Sequence, residues 1–169
     1  ILKIIIKNPS IKAVSDWLLE SGIQNVDLEK NLDGGFNSWF DINTEDYYYV
    51  YSEITGYGIT TLLFLDKYFK NPELIERSKL AANWVIDRAI TQSGGVKTRD
   101  YLVEGPGQKN YSFDSGIVYS FDTGMVLFGM INLYKKLKVK KHLDISIKIA
   151  DFLVDGMQKK DGSFYAYCS

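Results

Sequence analysis

The sequence predicts an all-α fold assembled from repeated two-helix hairpins. Three observations carry that expectation. Apolar residues recur at helical spacing in five segments. The stretch YSEITG at Tyr51–Gly56 returns as YSFDTG at Tyr119–Gly124, 68 residues later. Glycine turns punctuate the chain after the amphipathic segments, as DGGF at Asp33–Phe36, SGGV at Ser93–Val96 and DGSF at Asp161–Phe164.

The first helix is expected over about Ser10–Gly22, with Ile11, Val14, Trp17, Leu18 and Leu19 as its apolar stripe. The second, roughly Ser52–Phe69, is apolar around most of its circumference through Ile59, Leu62, Leu63, Phe64 and Leu65, so it should be buried on several sides. Asn71 as cap and Pro72 at the first helical position open a third helix that runs to about Ile90. So short a connection makes helices two and three antiparallel neighbours. A fourth apolar helix, about Ser115–Lys136, and a fifth, about His142–Met157, repeat the pair, with little strand signal anywhere.

The repeat holds position by position. Tyr51, Ser52, Thr55 and Gly56 map onto Tyr119, Ser120, Thr123 and Gly124, while Trp17, Trp84 and Phe152 stand 67 and 68 residues apart. Gln24, Gln92 and Gln158 follow them as further marks ahead of the glycine turns. The unit is one helix buried all round, one amphipathic helix with a wet face, and a glycine loop. Units of this kind hide their faces in an open superhelix or in a closed ring, and a period of 68 residues exceeds the usual solenoid repeat of about 20 to 50.

With the ring favoured, the segments GGFNSWFD, YSEITGYGITTLL and YSFDTGMVLFGM resemble the six-hairpin glycosidase-like alpha/alpha toroids, and within them proteins associated with bacterial polysaccharide genes. The resemblance covers nearly the whole chain. It implies part of an alpha/alpha toroid, an incomplete ring of about five helices in a single domain over 1–169, and thus a fragment of a longer protein. The opening ILKIII and the closing DGSFYAYCS fit that expectation, since neither reads as a finished end. Each open edge would show large apolar side chains, so self-association through those edges is expected.

Composition narrows the function classes. The 169 residues are 46% hydrophobic and 24% charged, and 20 basic against 21 acidic side chains leave a formal charge of −1. Such a balance gives no field to gather nucleic acid or an anionic membrane, so neither is expected as a partner. One cysteine and one histidine cannot build a disulfide or a zinc site from those residue types, and no phosphate loop occurs. No metal and no cofactor are expected. With no signal-peptide pattern visible, the expected location is cytoplasmic.

Function should sit where the repeated frame varies. Between the shared Tyr-Ser and Thr-Gly stand Glu53 and Ile54 in one copy and Phe121 and Asp122 in the other. In the toroids that the chain resembles, the starts of the inner helices surround the substrate cleft. This implies Glu53, Asp122 and Asp114 as candidate catalytic residues near one mouth, two of them acting as acid and base on a sugar. A carboxylate in a first helical turn is also an ordinary cap, and Asp114 before Ser115 and Gly116 fits that bland role best. Asp122 fits it least, because it interrupts an apolar stretch where an acid is costly unless it is paired or near water. Trp39, Tyr51, Tyr57, Arg99 and Tyr119 are candidate substrate-binding residues: rings stack on sugar faces, and the guanidinium can pair with an acidic sugar. Trp17 and Trp84 read as ordinary core. The expected function is a carbohydrate-active domain, glycoside hydrolase-like or another acid/base reaction on a poly- or oligosaccharide. The alternative is a non-catalytic glycan-binding or scaffold module of the same fold.

Overall fold

The structure is a computed structural model that describes residues 9–26 and 34–169. ILKIII and Asp33 of the first glycine turn lie outside the described residues. The helices are α1 (Pro9–Glu20), α2 (Ser52–Phe69), α3 (Pro72–Trp84), the single-turn α4 (Gln108–Tyr111), α5 (Ser120–Leu137) and α6 (Lys140–Asp151). Helix α2 has the bounds that the sequence predicts. Helix α3 opens as expected, with the Asn71 side chain accepting from the Glu73 amide and Pro72 in the first turn.

Two departures concern helix ends. Helices α3 and α6 each widen into a π turn, over Val85–Ala89 and Phe152–Met157, before the chain turns extended at Ile90 and Gln158. Helix α5 starts at Ser120 rather than near Ser115, because Gly116 in the left-handed region closes a 3-10 turn at Phe113–Ser115 and the chain then extends. The extended pieces pair into three antiparallel ribbons: β1 (Phe40–Asp41) with β2 (Asp46–Tyr47), β3 (Tyr49–Tyr51) with β4 (Arg99–Tyr101), and β5 (Val118–Tyr119) with β6 (Tyr167–Cys168). Strands of two or three residues leave no alternation for a sequence pattern to reveal.

Helices α2 and α5 lie side by side in the same direction. Gly56 in the second turn of α2 meets Gly129 midway along α5, and the Lys136 ammonium binds the buried Asp66 carboxylate at 2.6 Å near their ends. A side-chain carbon on Gly56 would stand 2.6 Å from the Met125 carbonyl oxygen, and one on Gly129 would stand 2.7 Å from that of Gly56. Glycine at these positions is therefore what lets the two backbones touch. Helix α3 packs on α2, and α6 on α5, around a core that includes Ile59, Leu62, Leu74, Val126, Met130 and Ile149, all fully buried.

The glycine loops dock onto the amphipathic helix of the neighbouring hairpin, at positions on those helices that stand 68 residues apart. Gly34 (φ 100°) faces the Leu80 carbonyl while Gly35 faces the Trp84 ring; Gly94 (φ 104°) faces the Lys148 carbonyl while Gly95 faces the Phe152 ring. Trp84 is buried accordingly. Trp17 is not: it is 53% exposed, as is Val14. The stripe expected on α1 is thus corrected to Ile11, Leu18 and Leu19, which are partly buried against the core, because no described glycine loop covers Trp17 as one covers Trp84. The glutamine marks need a second correction. Gln24 and Gln158 bridge to Phe36 and Phe164, but the residue that bridges to Val96 is Ile90, and Gln92 is exposed. Sixty-eight residues before Gln158 stands Ile90, so the repeat is one of backbone bridges rather than of glutamines. No helix among the described residues is long and apolar enough to cross a membrane.

Candidate active site at the starts of the paired helices

The repeated frame is a set of inter-segment hydrogen bonds. The Ser52 amide donates to the Thr98 carbonyl and its hydroxyl to that of Lys97; in the second copy, both groups of Ser120 donate to the Ala166 carbonyl. The Thr55 hydroxyl accepts from the Phe36 amide at 2.9 Å and the Thr123 hydroxyl from the Val96 amide at 3.3 Å. Neither serine caps its own helix. These hydroxyls instead tie the glycine loop and the next ribbon to the helix start, so they must stay fixed while the residues between them vary.

Because α2 and α5 run parallel, their first turns share one end of the molecule. Glu53 and Asp122 are brought together there, close enough for the charge of Glu53 to raise the Asp122 pKa. Asp122 is 5% exposed, and its Oδ2 is buried with no hydrogen-bond partner among the described residues. Its pKa is pushed up to about 6, first by burial, with the nearby Thr98 hydroxyl and Arg99 drawing it back and Glu53 adding to the rise. Tyr51 lies within the influence of Glu53, and burial together with that carboxylate holds its phenol well above the usual range.

Arg99 enters on β4, opposite Tyr51 in the β3–β4 register. Its guanidinium carbon lies 4.2 Å from the centre of the Tyr111 ring, 4.7 Å from that of Tyr49 and 5.2 Å from that of Tyr51. Three aromatic faces thus fix the cation. Tyr111 stacks on Tyr119 at 5.7 Å, and Tyr119 continues to Tyr167 at 5.8 Å. On the other side, Trp39, half exposed, stands edge-on to Tyr49 at 5.2 Å. Trp39, Asn37, Tyr49, Tyr51, Ile54 and Arg99 line a cavity of about 390 Å³ beside the acids.

Of the sequence candidates, Glu53, Asp122, Tyr51 and Arg99 form one electrostatically connected group, and Trp39 and Tyr119 flank it through rings. Tyr57 stands one helical turn beyond Glu53 and is 41% exposed. Asp114 sits elsewhere, exposed in the 3-10 turn and on a separate cavity of about 360 Å³ with Arg88, Lys97 and Asp100. No described interaction links it to Glu53 or Asp122, and it does not cap α5. Sequence reasoning did not single out Thr98 as a site residue. Thr98 precedes β4 and reaches the site through the ribbon pairing, which no local pattern announces. Among the described residues no three of His, Cys, Asp and Glu come together as metal ligands.

Solved structures share this fold. The chain superposes on a glycoside hydrolase family 76 alpha-mannanase from Bacteroides thetaiotaomicron with a TM-score of 0.72 and 13% identity, over 98% of this chain and 44% of that one. The fold is that of the six-hairpin glycosidase-like alpha/alpha toroids. Cellobiose 2-epimerase from Bacillus thermoamylovorans matches with a TM-score of 0.70 and 14% identity, over 95% of this chain and 39% of the other. An inactive variant of an alpha-1,6-mannanase from a Salegentibacter species, in complex with alpha-1,6-mannotriose, matches with a TM-score of 0.61 and 18% identity, over 88% and 42%. The chain therefore spans less than half the length of these toroid proteins. No protein-family model and no curated protein sequence matches it.

Proposed function

We propose that the site is an acid/base centre acting on a poly- or oligosaccharide, with Asp122 as proton donor and Glu53 as the second carboxylate. The observation that carries this reading is the pairing itself: an acid buried at 5% exposure, raised to about 6 and set beside a second carboxylate, with both coupled electrostatically to Tyr51 of a ring-lined cavity. A group with that pKa is partly protonated near neutral pH, as a general acid must be. Protonated Asp122 would deliver its proton to the oxygen that departs as the glycosidic C–O bond breaks. Glu53 would either take the proton of an incoming water or bond to the sugar carbon itself, according to the distance between the two groups. Tyr51, close enough for Glu53 to raise its phenol, would orient that carboxylate. The neighbouring structures with sugar-processing names support a carbohydrate substrate.

Asp122→Asn and Glu53→Gln, assayed on a panel of neutral and acidic oligosaccharides, test the reading. Each should lower turnover by about 100-fold or more while leaving glycan binding in place. A second reading, a non-catalytic glycan-binding module, draws on the absence of any carboxylate from the cavity wall; it predicts binding with no turnover to lose.

The chain is also proposed to be one part of a longer toroid, or to associate through its open faces. Among the described residues, Gly124, the counterpart of Gly56, has nothing within 4 Å of where a side chain would begin, whereas Gly56 is covered by α5. That open space beside α5 would admit another buried helix, as α5 itself covers Gly56.

A further inference from the structure

Resting on the carbohydrate reading above, the chemistry of the cavity wall narrows the substrate. Arg99 is the one charged residue of that wall, whose remaining polar side chains include Asn37, Ser38 and Tyr51. Among the described residues Arg99 forms no ion pair, and its Nε is buried without a hydrogen-bond partner. A half-buried guanidinium that lacks a carboxylate partner is an uncommon arrangement, since charge taken from water is normally paired. The three tyrosine rings and the Tyr101 hydroxyl offset part of that cost, but none of them supplies the pair of anionic oxygens that a guanidinium fork matches. Glu53 and Asp122 are close enough to influence the site, yet neither belongs to the wall.

Two further features describe the missing partner. The Asn37 side chain, 5% exposed, leaves Oδ1 unpaired while its Nδ2 donates to the Gly22 carbonyl at 3.0 Å. Trp39 and Tyr49 present ring surface on the same wall. A ligand that satisfies the wall has a flat apolar face, hydroxyl groups and a planar anion. We propose that this cavity is a subsite for a uronic acid unit, whose carboxylate takes the Arg99 fork while its ring lies against Trp39. A carboxylate suits the fixed planar fork better than it suits a lysine ammonium, because two parallel N–H donors meet its two oxygens.

The test compares glucuronate, galacturonate and mannuronate with glucose, galactose and mannose by NMR titration of the protein. At least one uronate should bind about tenfold or more tightly than its neutral counterpart, as expected for a charge-assisted bidentate contact. That advantage should vanish in Arg99→Met, survive in part in Arg99→Lys, and shrink in the unaltered protein as salt is raised from about 0.05 to 0.5 M. The salt series decides the matter if a variant does not fold: an advantage insensitive to salt overturns the proposal. So does equal binding of uronates and neutral sugars, or an advantage that persists in Arg99→Met. Equal binding would leave the sugar site standing and remove only the charge assignment. Failure of the acid/base reading shows separately, as unchanged turnover in Asp122→Asn.

Discussion

Asp122 stands at the helix position that Ile54 fills in the first hairpin, so an apolar environment receives an acid. Its folded pKa of about 6 lies above the ordinary 3.8, which means that the folded state binds more protons than the unfolded one between those values. Stability contributed at this site therefore rises as pH falls from about 6 toward 4, and above 6 the ionised group costs about 3 kcal/mol at most. Asp122→Asn should raise the melting temperature at pH 7.5 by several degrees and leave it unchanged at pH 4, where both side chains are neutral. Calorimetric scans across that range check this. His142 acts in the opposite direction: burial and the charges of Lys141 and Lys79 hold it below its ordinary 6.5. The unfolded chain takes up that proton first, so stability is lost as pH falls below about 6.5, and His142→Gln should flatten that acid limb in the same scans. Asp122 was legible in the sequence because an acid inside GIVYSFDTGMVLFGM has no apolar explanation. Thr98 was not, because it is polar, sits in a loop and gains its place through a ribbon that forms 45 or more residues away in sequence.

At the scale of elements, the two copies of one helix start differ in what lies opposite their shared glycine, a difference that substitution can read. Adding a methyl at Gly56 would drive it into the Met125 carbonyl, 2.6 Å away. Gly56→Ala must therefore part α2 from α5, with a cost of roughly 1–3 kcal/mol. Gly124→Ala meets nothing within 4 Å and, in a helix, should gain about 0.5–1 kcal/mol from reduced backbone freedom in the unfolded chain. Urea denaturation of the two variants at low protein concentration, with opposite shifts of the midpoint, is the expected outcome. The sequence showed these two glycines as equals, because a repeat reports which residue recurs and not what lies opposite it. The same limit explains Trp17 and Gln92. Trp17 keeps the period of Trp84 and Phe152 without the loop that buries the former, while Gln92 keeps a letter after the bridge has moved to Ile90. Helix existence and pairing were legible because they depend on apolar spacing and on Asn71-Pro72. The π turns and the two-residue ribbons were not, because they follow from packing between segments.

At the scale of the whole molecule, the paired helices remain open on one side. Phe121 and Phe128 on α5 are 56% and 53% exposed, and Phe64 on α2 is 48% exposed; Phe64 and Phe128 share the walls of one groove with Lys135 and Lys136. Rings of that size each gain roughly 1.5–3 kcal/mol when covered, so the 169-residue chain alone should associate. Sedimentation velocity should show a sedimentation coefficient that rises with concentration, and Phe128→Glu should abolish the rise. The substitution lies well along α5 from Asp122, so the site at the helix starts provides a control. If the open face is where a neighbouring hairpin or a second copy docks, Gly124→Ala should also weaken association, although it stabilises the isolated chain. One residue would then carry opposite effects in the two states, which simple surface stickiness does not produce: a methyl group added to a merely sticky surface strengthens association, whereas one added where two backbones must touch prevents it.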